Sequence, residues 1–179
     1  MPATWTVVDY ADPVRALVIA YKEHGAVGLA EVLAVPLATA VAAAVASRVD
    51  VGRPALLVPV PSSRKAIRAR GDDVVLRLAR RAGSLLRREG ARVRVATALR
   101  HDRAVADSAG LSSAHRAANL AGAFAIRPAY RNLLTGADVV LLDDLVTTGA
   151  TLAEAARAVR GAGATVAGAA TVAATQRRT

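Results

Sequence analysis

An α/β fold with a mainly parallel central sheet follows from three features of the sequence. Short apolar runs, Ala55 to Val60, Ala137 to Asp143 and Thr165 to Ala174, have the length and continuity of strands buried on both faces. Between them lie segments whose apolar residues recur at helical spacing, most clearly from Asp73 to Arg88. The runs also tend to end in Pro, Ser, Thr or Gly, which turn a chain out of a strand, and strands alternating with helices build a parallel sheet flanked by helices. A length of 179 residues suits one domain, 1–179, with an N-terminal helical region at 1–50 and the sheet-bearing core at 51–179.

Taken in order, Asp12-Pro13 supplies an N-cap and a first-turn proline for a helix whose apolar face is Val14, Leu17, Val18 and Tyr21, ending by Gly25. A second helical region covers Gly28 to Ser47, and Pro36 is expected to start a new helix there, because an interior proline loses a hydrogen bond and clashes with the preceding turn. The strand at Ala55 empties into Pro61-Ser62-Ser63. In the helix from Asp73, Val74, Val75, Leu78, Ala79, Ala82, Leu85 and Leu86 share one face, while Arg77, Arg80, Arg81, Arg87 and Arg88 take the other. A strand is expected over Val93 to Leu99, then a charged irregular stretch from Arg100 to Gly110 and a short helix capped by Ser112 or Ser113 and running through Leu120. Ala123 to Ile126 reads as a short strand and Thr151 to Arg160 as a helix, with Gly161 and Gly163 turning the chain into the final strand.

The absence of cysteine excludes disulfides and thiolate metal sites and is compatible with the cytoplasm. His24, His101 and His115 lack ligand spacing, so no zinc is expected. The uncharged Ala-rich run Val32 to Ala46 is 15 residues against the about 20 that a membrane span needs, and no basic-then-apolar leader opens the chain, so no membrane association is expected. The net charge of +10 is concentrated: Arg64 to Arg103 holds 13 Lys and Arg against 4 acidic residues, a local +9. Such a block suits phosphate-rich ligands.

The segment with chemistry is Val139-Val140-Leu141-Leu142 followed by Asp143-Asp144-Leu145-Val146-Thr147-Thr148-Gly149-Ala150-Thr151. Ligands of open α/β sheets bind beyond the carboxyl ends of strands, and a loop entering a helix offers free backbone N–H groups to a phosphate. Gly149 permits close approach, Thr147, Thr148 and Thr151 donate hydroxyl hydrogen bonds, and with Ala150 between them the run Thr147 to Thr151 makes a 5'-phosphate cradle at the start of the helix. Asp143 and Asp144 would repel a phosphate placed on them, so they suit sugar hydroxyls or a magnesium ion on those hydroxyls; Asp144 has a second reading as a cap of the loop's own N–H groups.

Val139 to Thr151 is similar to the signature of type I phosphoribosyltransferases that binds 5-phosphoribosyl-1-pyrophosphate (PRPP). A wider set of blocks, Tyr10 through Gly25, Val58-Pro59-Val60-Pro61 through Gly71, Leu99 through Phe124 and the signature, resembles the ComF competence-protein family of predicted phosphoribosyltransferases. The resemblance implies the type I fold, PRPP with Mg2+, a pyrophosphate loop in which Ser62, Ser63, Arg64 and Lys65 face the diphosphate and Arg70-Gly71 close it, and a covering loop at Arg100 to Asn119. Within that loop Arg103 is the candidate catalytic residue, neutralising departing pyrophosphate, with a solvated loop charge as the alternative, while Arg116 and Asn119 serve structure. The sequence departs from the family in lacking the cysteines of its amino-terminal zinc module, in Gly71-Asp72-Asp73-Val74 where Gly-Phe-Asn-Gln is typical, and in Val105 and Ser108 where Thr and Gln are usual.

Two functions are consistent with these features. One is transfer of phosphoribose to an unidentified nitrogen acceptor, a base or an amine, with release of pyrophosphate. The other is a non-catalytic PRPP-fold protein that senses PRPP or works in DNA uptake and competence, contacting DNA through Arg77, Arg81 and Arg88 with Arg80 and Arg87 beside them; a merely solvated helix face is the bland reading of that row. No motif sets the acceptor or the oligomeric state.

Overall fold

The computed structural model describes residues 1–23, 25–48, 53–102 and 120–175. Its spine is a five-stranded, wholly parallel sheet in the order β1-β7-β6-β2-β3, formed by β1 (Thr4–Asp9), β2 (Ala55–Pro59), β3 (Val93–Val95), β6 (Asp138–Val146) and β7 (Thr165–Ala174). The helices are α1 (Val14–Glu23), α2 (Leu29–Arg48), α3 (Arg64–Arg70), α4 (Val74–Arg88), α5 (Arg131–Leu134) and α6 (Ala150–Arg160), and β4 (Leu99–His101) with β5 (Phe124–Ile126) forms a separate antiparallel pair.

Both faces of the sheet are covered, which is why β2 and β6 are apolar at consecutive positions. Leu57, Val140 and Leu142 face Val18, Tyr21, Leu37, Val41 and Leu78 of α1, α2 and α4. Leu56, Val58, Val139 and Leu141 face Leu152, Ala155 and Val159 of α6 together with Leu99 and Phe124. The alternation along each strand assigns one set to each face.

Five local features differ from the sequence expectation. The region 1–50 contributes β1 as well as helices. This strand joins the sheet edge beside β7, and Trp5 packs over Gly168, where a Cβ would collide with the indole. β1 is only half-buried, with Val7 exposed, so its alternation is weak.

Pro36 lies inside a continuous α2 and does not start a helix. The carbonyl that loses its partner belongs to Val32, on the exposed face, where water can satisfy it, while Leu33, Leu37, Val41 and Ala44 of the opposite face are buried. By length and apolarity Leu29–Ser47 would also suit a membrane span; here α2 packs on β7, β1 and α4.

The expected strand from Val93 to Leu99 is split in two. Ala96 makes the last tie to β2, its N–H donating to Leu57 O at 2.9 Å. Thr97 then turns toward the Tyr130 hydroxyl at 2.9 Å and the chain continues into β4 against β5.

The segment after Ser63 is helical, α3, capped at its start by the Ser63 hydroxyl accepting from Ala66 N at 3.1 Å and at its end by Gly71 in the left-handed region. Finally, β6 runs on to Val146, so the two aspartates are strand residues and the loop proper is Thr147 to Gly149.

Candidate functional site

The carboxyl ends of β2 and β6, adjacent and parallel, open side by side at one edge of the fold. In an open α/β sheet this is where ligands bind. From β6 the chain passes exposed Thr147 and half-buried Thr148 to Gly149, whose φ of 76° an L side chain adopts at a cost, and enters α6. Gly149 carries no side chain to cap α6, Ala150 N reaches the Thr148 hydroxyl only at 3.4 Å, and Thr151 follows in the first turn. The first-turn N–H groups therefore form an electropositive end suited to an anion. The Met1 side chain lies against Gly149, in the space a Cβ would occupy.

Neighbouring strand residues point to opposite faces. Asp144, in step with Val140 and Leu142, lies on the α1 side, and Asp143, in step with Val139 and Leu141, on the α6 side. Asp144 is buried, and the Lys22 amine at the end of α1 sits 2.9 Å from its Oδ2 and 3.1 Å from its Oδ1. Asp143 Oδ1 accepts from Asp144 N at 2.9 Å.

Burial first, and then the charge of Asp144, pushes the Asp143 carboxyl up to about 8. Burial alone would lower the Lys22 amine, but Asp144, in contact, and Asp143 outweigh it and raise it above its ordinary value. Among the described residues no three His, Asp or Glu gather as a metal site. With both oxygens of Asp144 facing the Lys22 amine, a divalent cation fits through Asp143 and ligand oxygens, not through a chelate of both aspartates.

On the β2 side, Ser62 is turned inward: its hydroxyl donates to Asp73 Oδ1 at 2.9 Å and its N–H to Oδ2 at 3.3 Å. Asp73 also caps α4, accepting from Leu76 N at 3.2 Å. The His101 Nε2 lies 3.0 Å from Pro61 O and 3.2 Å from Ser62 O, so it must carry the proton, and the ring leans on Phe124. These bonds fix the loop, while Ser63, Arg64 and Lys65 stand exposed at its mouth. Arg70 donates to Lys22 O at 2.9 Å and so ties α3 to the end of α1.

The structure thus brings Asp143, Asp144, the Thr147–Thr151 cradle and the Ser62–Lys65 loop to the same end of the sheet. Arg103, Arg116 and Asn119 lie outside the described residues. Sequence reasoning missed Lys22, Asp73 and His101 as site residues. Lys22 had a signal: it stands four positions after buried Val18, a charge on an apolar helix face. The arginine row on α4 is partly neutralised, Arg77 pairing with Asp72, and Arg81 with Glu31 at 3.1 Å.

Comparison with known proteins adds one match. Residues 117–179 fit the family model of the phosphoribosyl transferase domain, a stretch that carries β5, α5, β6, α6 and β7 and hence the acid pair and the cradle. No curated protein matches the sequence. Over residues 117–179 the chain is therefore similar to the phosphoribosyl transferase domain, and its five-stranded parallel sheet with helices on both faces agrees with the type I phosphoribosyltransferase fold.

Proposed function

We propose that this protein binds PRPP at the carboxyl ends of β2 and β6 and transfers its phosphoribosyl group to a nitrogen acceptor. The observation that carries the reading is the run from paired aspartates through Gly149 into the uncapped start of α6. The 5'-phosphate takes the N–H groups and hydroxyls of Thr147 to Thr151. Asp143 accepts the ribose hydroxyls, and Asp144, held by Lys22, shapes the floor beneath them. Arg64 and Lys65 face the diphosphate from the β2 loop.

In the reaction a bond forms from the acceptor nitrogen to C1 of the ribose as the bond from C1 to oxygen breaks, its electron pair leaving with pyrophosphate. Catalysis of this type rests on positioning and on charge stabilisation of the leaving group. Asp143 would hold a Mg2+ ion through ribose hydroxyls or water, and such an ion, when bound, would supply positive charge to the leaving pyrophosphate. Thr147 stands where 6-oxopurine salvage enzymes of this fold have a catalytic aspartate, which argues for another acceptor class.

The test is calorimetric titration of PRPP with Mg2+ into the wild type and into Asp143→Asn/Asp144→Asn, followed by pyrophosphate release across candidate bases and amines. Wild-type binding lost in the double variant, with turnover of one acceptor, is expected. A wild type that takes up no PRPP rejects the reading. PRPP binding with no turnover would favour a sensing role.

A further inference from the structure

We propose that the cavity between α4 and the open edge of β3 is a second anion site, one that takes a small molecule bearing two or more phosphate groups. The cavity, of about 380 Å³, is lined by Arg80, Arg87, Arg94, Thr97, Tyr130 and Leu76 among others. That volume falls in the range of small-molecule pockets, roughly 300 to 1,000 Å³. β3 is the last strand of the sheet, so the cavity lies at the sheet edge, one strand from β2 and two from β6.

The charge pattern of α4 selects these arginines. Arg77 and Arg81 have their own acids, Asp72 and Glu31. Arg80, Arg87 and Arg94 have no acidic partner among the described residues, and all three are exposed. Arg80 and Arg87 are seven positions apart on one helix face, about 10 Å along the axis.

Gly83 lies between them, and a Cβ there would come within 3.2 Å of Arg87 Nη1, so the Arg87 guanidinium folds back one turn toward Arg80. The same missing side chain seats α4 on β3, since that Cβ would be 3.0 Å from Val95 Cγ2. An interior glycine costs a helix about 1 kcal/mol relative to alanine, and here it sets both the helix position and the converging cations.

Three guanidiniums around one concavity repel each other until an anion enters, and their planar forks match phosphate oxygens. The Thr97 and Tyr130 hydroxyls, 2.9 Å apart, add a neutral donor at the rim. A polynucleotide would instead need a continuous row of free cations, and the row Arg77, Arg81, Arg88 is interrupted by Asp72 and Glu31.

The experiment is calorimetric titration of inorganic triphosphate, without PRPP or metal, at about 0.15 M salt, where exposed long-range charge is largely screened. Three proteins are compared: wild type, Arg80→Ala/Arg87→Ala/Arg94→Ala, and Arg64→Ala/Lys65→Ala. Saturable binding whose tightest component weakens at least tenfold in the triple variant, and less than twofold in the Arg64/Lys65 variant, is expected. All the substituted side chains are exposed, and matching thermal unfolding confirms that the variants fold. No binding by the wild type, equal binding by the triple variant, or loss of binding with Arg64 and Lys65 would each overturn the site. So would a single-stranded oligonucleotide that binds where triphosphate does not.

Discussion

The Lys22 amine is 2.9 Å from Asp144 Oδ2, joining the last turn of α1 to the end of β6 across 122 positions of sequence. The Asp144 side chain is 6% exposed and that of Lys22 30%, so the pair is neither a surface contact nor a fully dry one. Arg70 holds the Lys22 carbonyl at 2.9 Å, and α1, α3 and β6 therefore meet at this point. The Lys22 amine is the cation in contact with this buried carboxylate.

Removing that amine leaves a buried carboxylate without its cation. Breaking a buried pair typically costs about 3 to 5 kcal/mol, and the partial exposure of Lys22 brings the expectation for Lys22→Ala down to about 2 kcal/mol. Urea unfolding reads it directly. Lys22→Arg should recover most of the loss, whereas a Lys22→Ala protein as stable as the wild type would show the pair to be incidental.

The raised Asp143 carboxyl makes stability depend on pH with a definite sign. The folded protein holds this proton more tightly than the unfolded chain, so stability is full below the unfolded carboxylate range and declines as pH rises from about 4 toward the folded value of about 8. Asp143→Asn has no such decline. Its melting temperature should match the wild type near pH 5 and exceed it near pH 8, by an amount corresponding to on the order of 1 kcal/mol after allowance for partial exposure. A wild-type advantage at pH 8 would contradict this assignment.

Gly149 has a φ of 76° and the Met1 side chain against it. Gly149→Ala should cost about 1 to 2 kcal/mol from backbone conformation and weaken PRPP binding at least tenfold by pushing the cradle away from the phosphate. Chemical denaturation and calorimetry separate the two effects. Undiminished PRPP affinity would place the phosphate elsewhere.

Trp5 is the chain's single tryptophan and lies over Gly168. Gly168→Ala should therefore displace the indole, shift its emission to the red and destabilise the protein by about 1 to 3 kcal/mol, the usual range for overpacking. An unchanged spectrum with unchanged stability would mean that β1 does not dock on β7 through this contact.

What the sequence by itself determined is local and contiguous. Val139 to Leu142 and Thr165 to Ala174 are apolar because both sheet faces are covered, and both form strands. The helix from Asp73 carries its apolar stripe and its arginine face in one stretch, and the turn into the following helix falls at Gly149, where the residue types place it. The tertiary structure decided whatever depends on distant partners. β1 is a strand because β7 offers an edge and Gly168 a seat for Trp5. The chain leaves the main sheet at Ala96 because Tyr130 and β5 receive it, and α2 runs through Pro36 because the orphaned carbonyl faces outward while the other face is packed. Lys22 meets Asp144 only when α1 is laid across the end of β6. Periodicity and turn chemistry act over a few residues and are written in order along the chain, whereas edge pairing, carbonyl satisfaction and charge balance depend on neighbours that folding alone supplies.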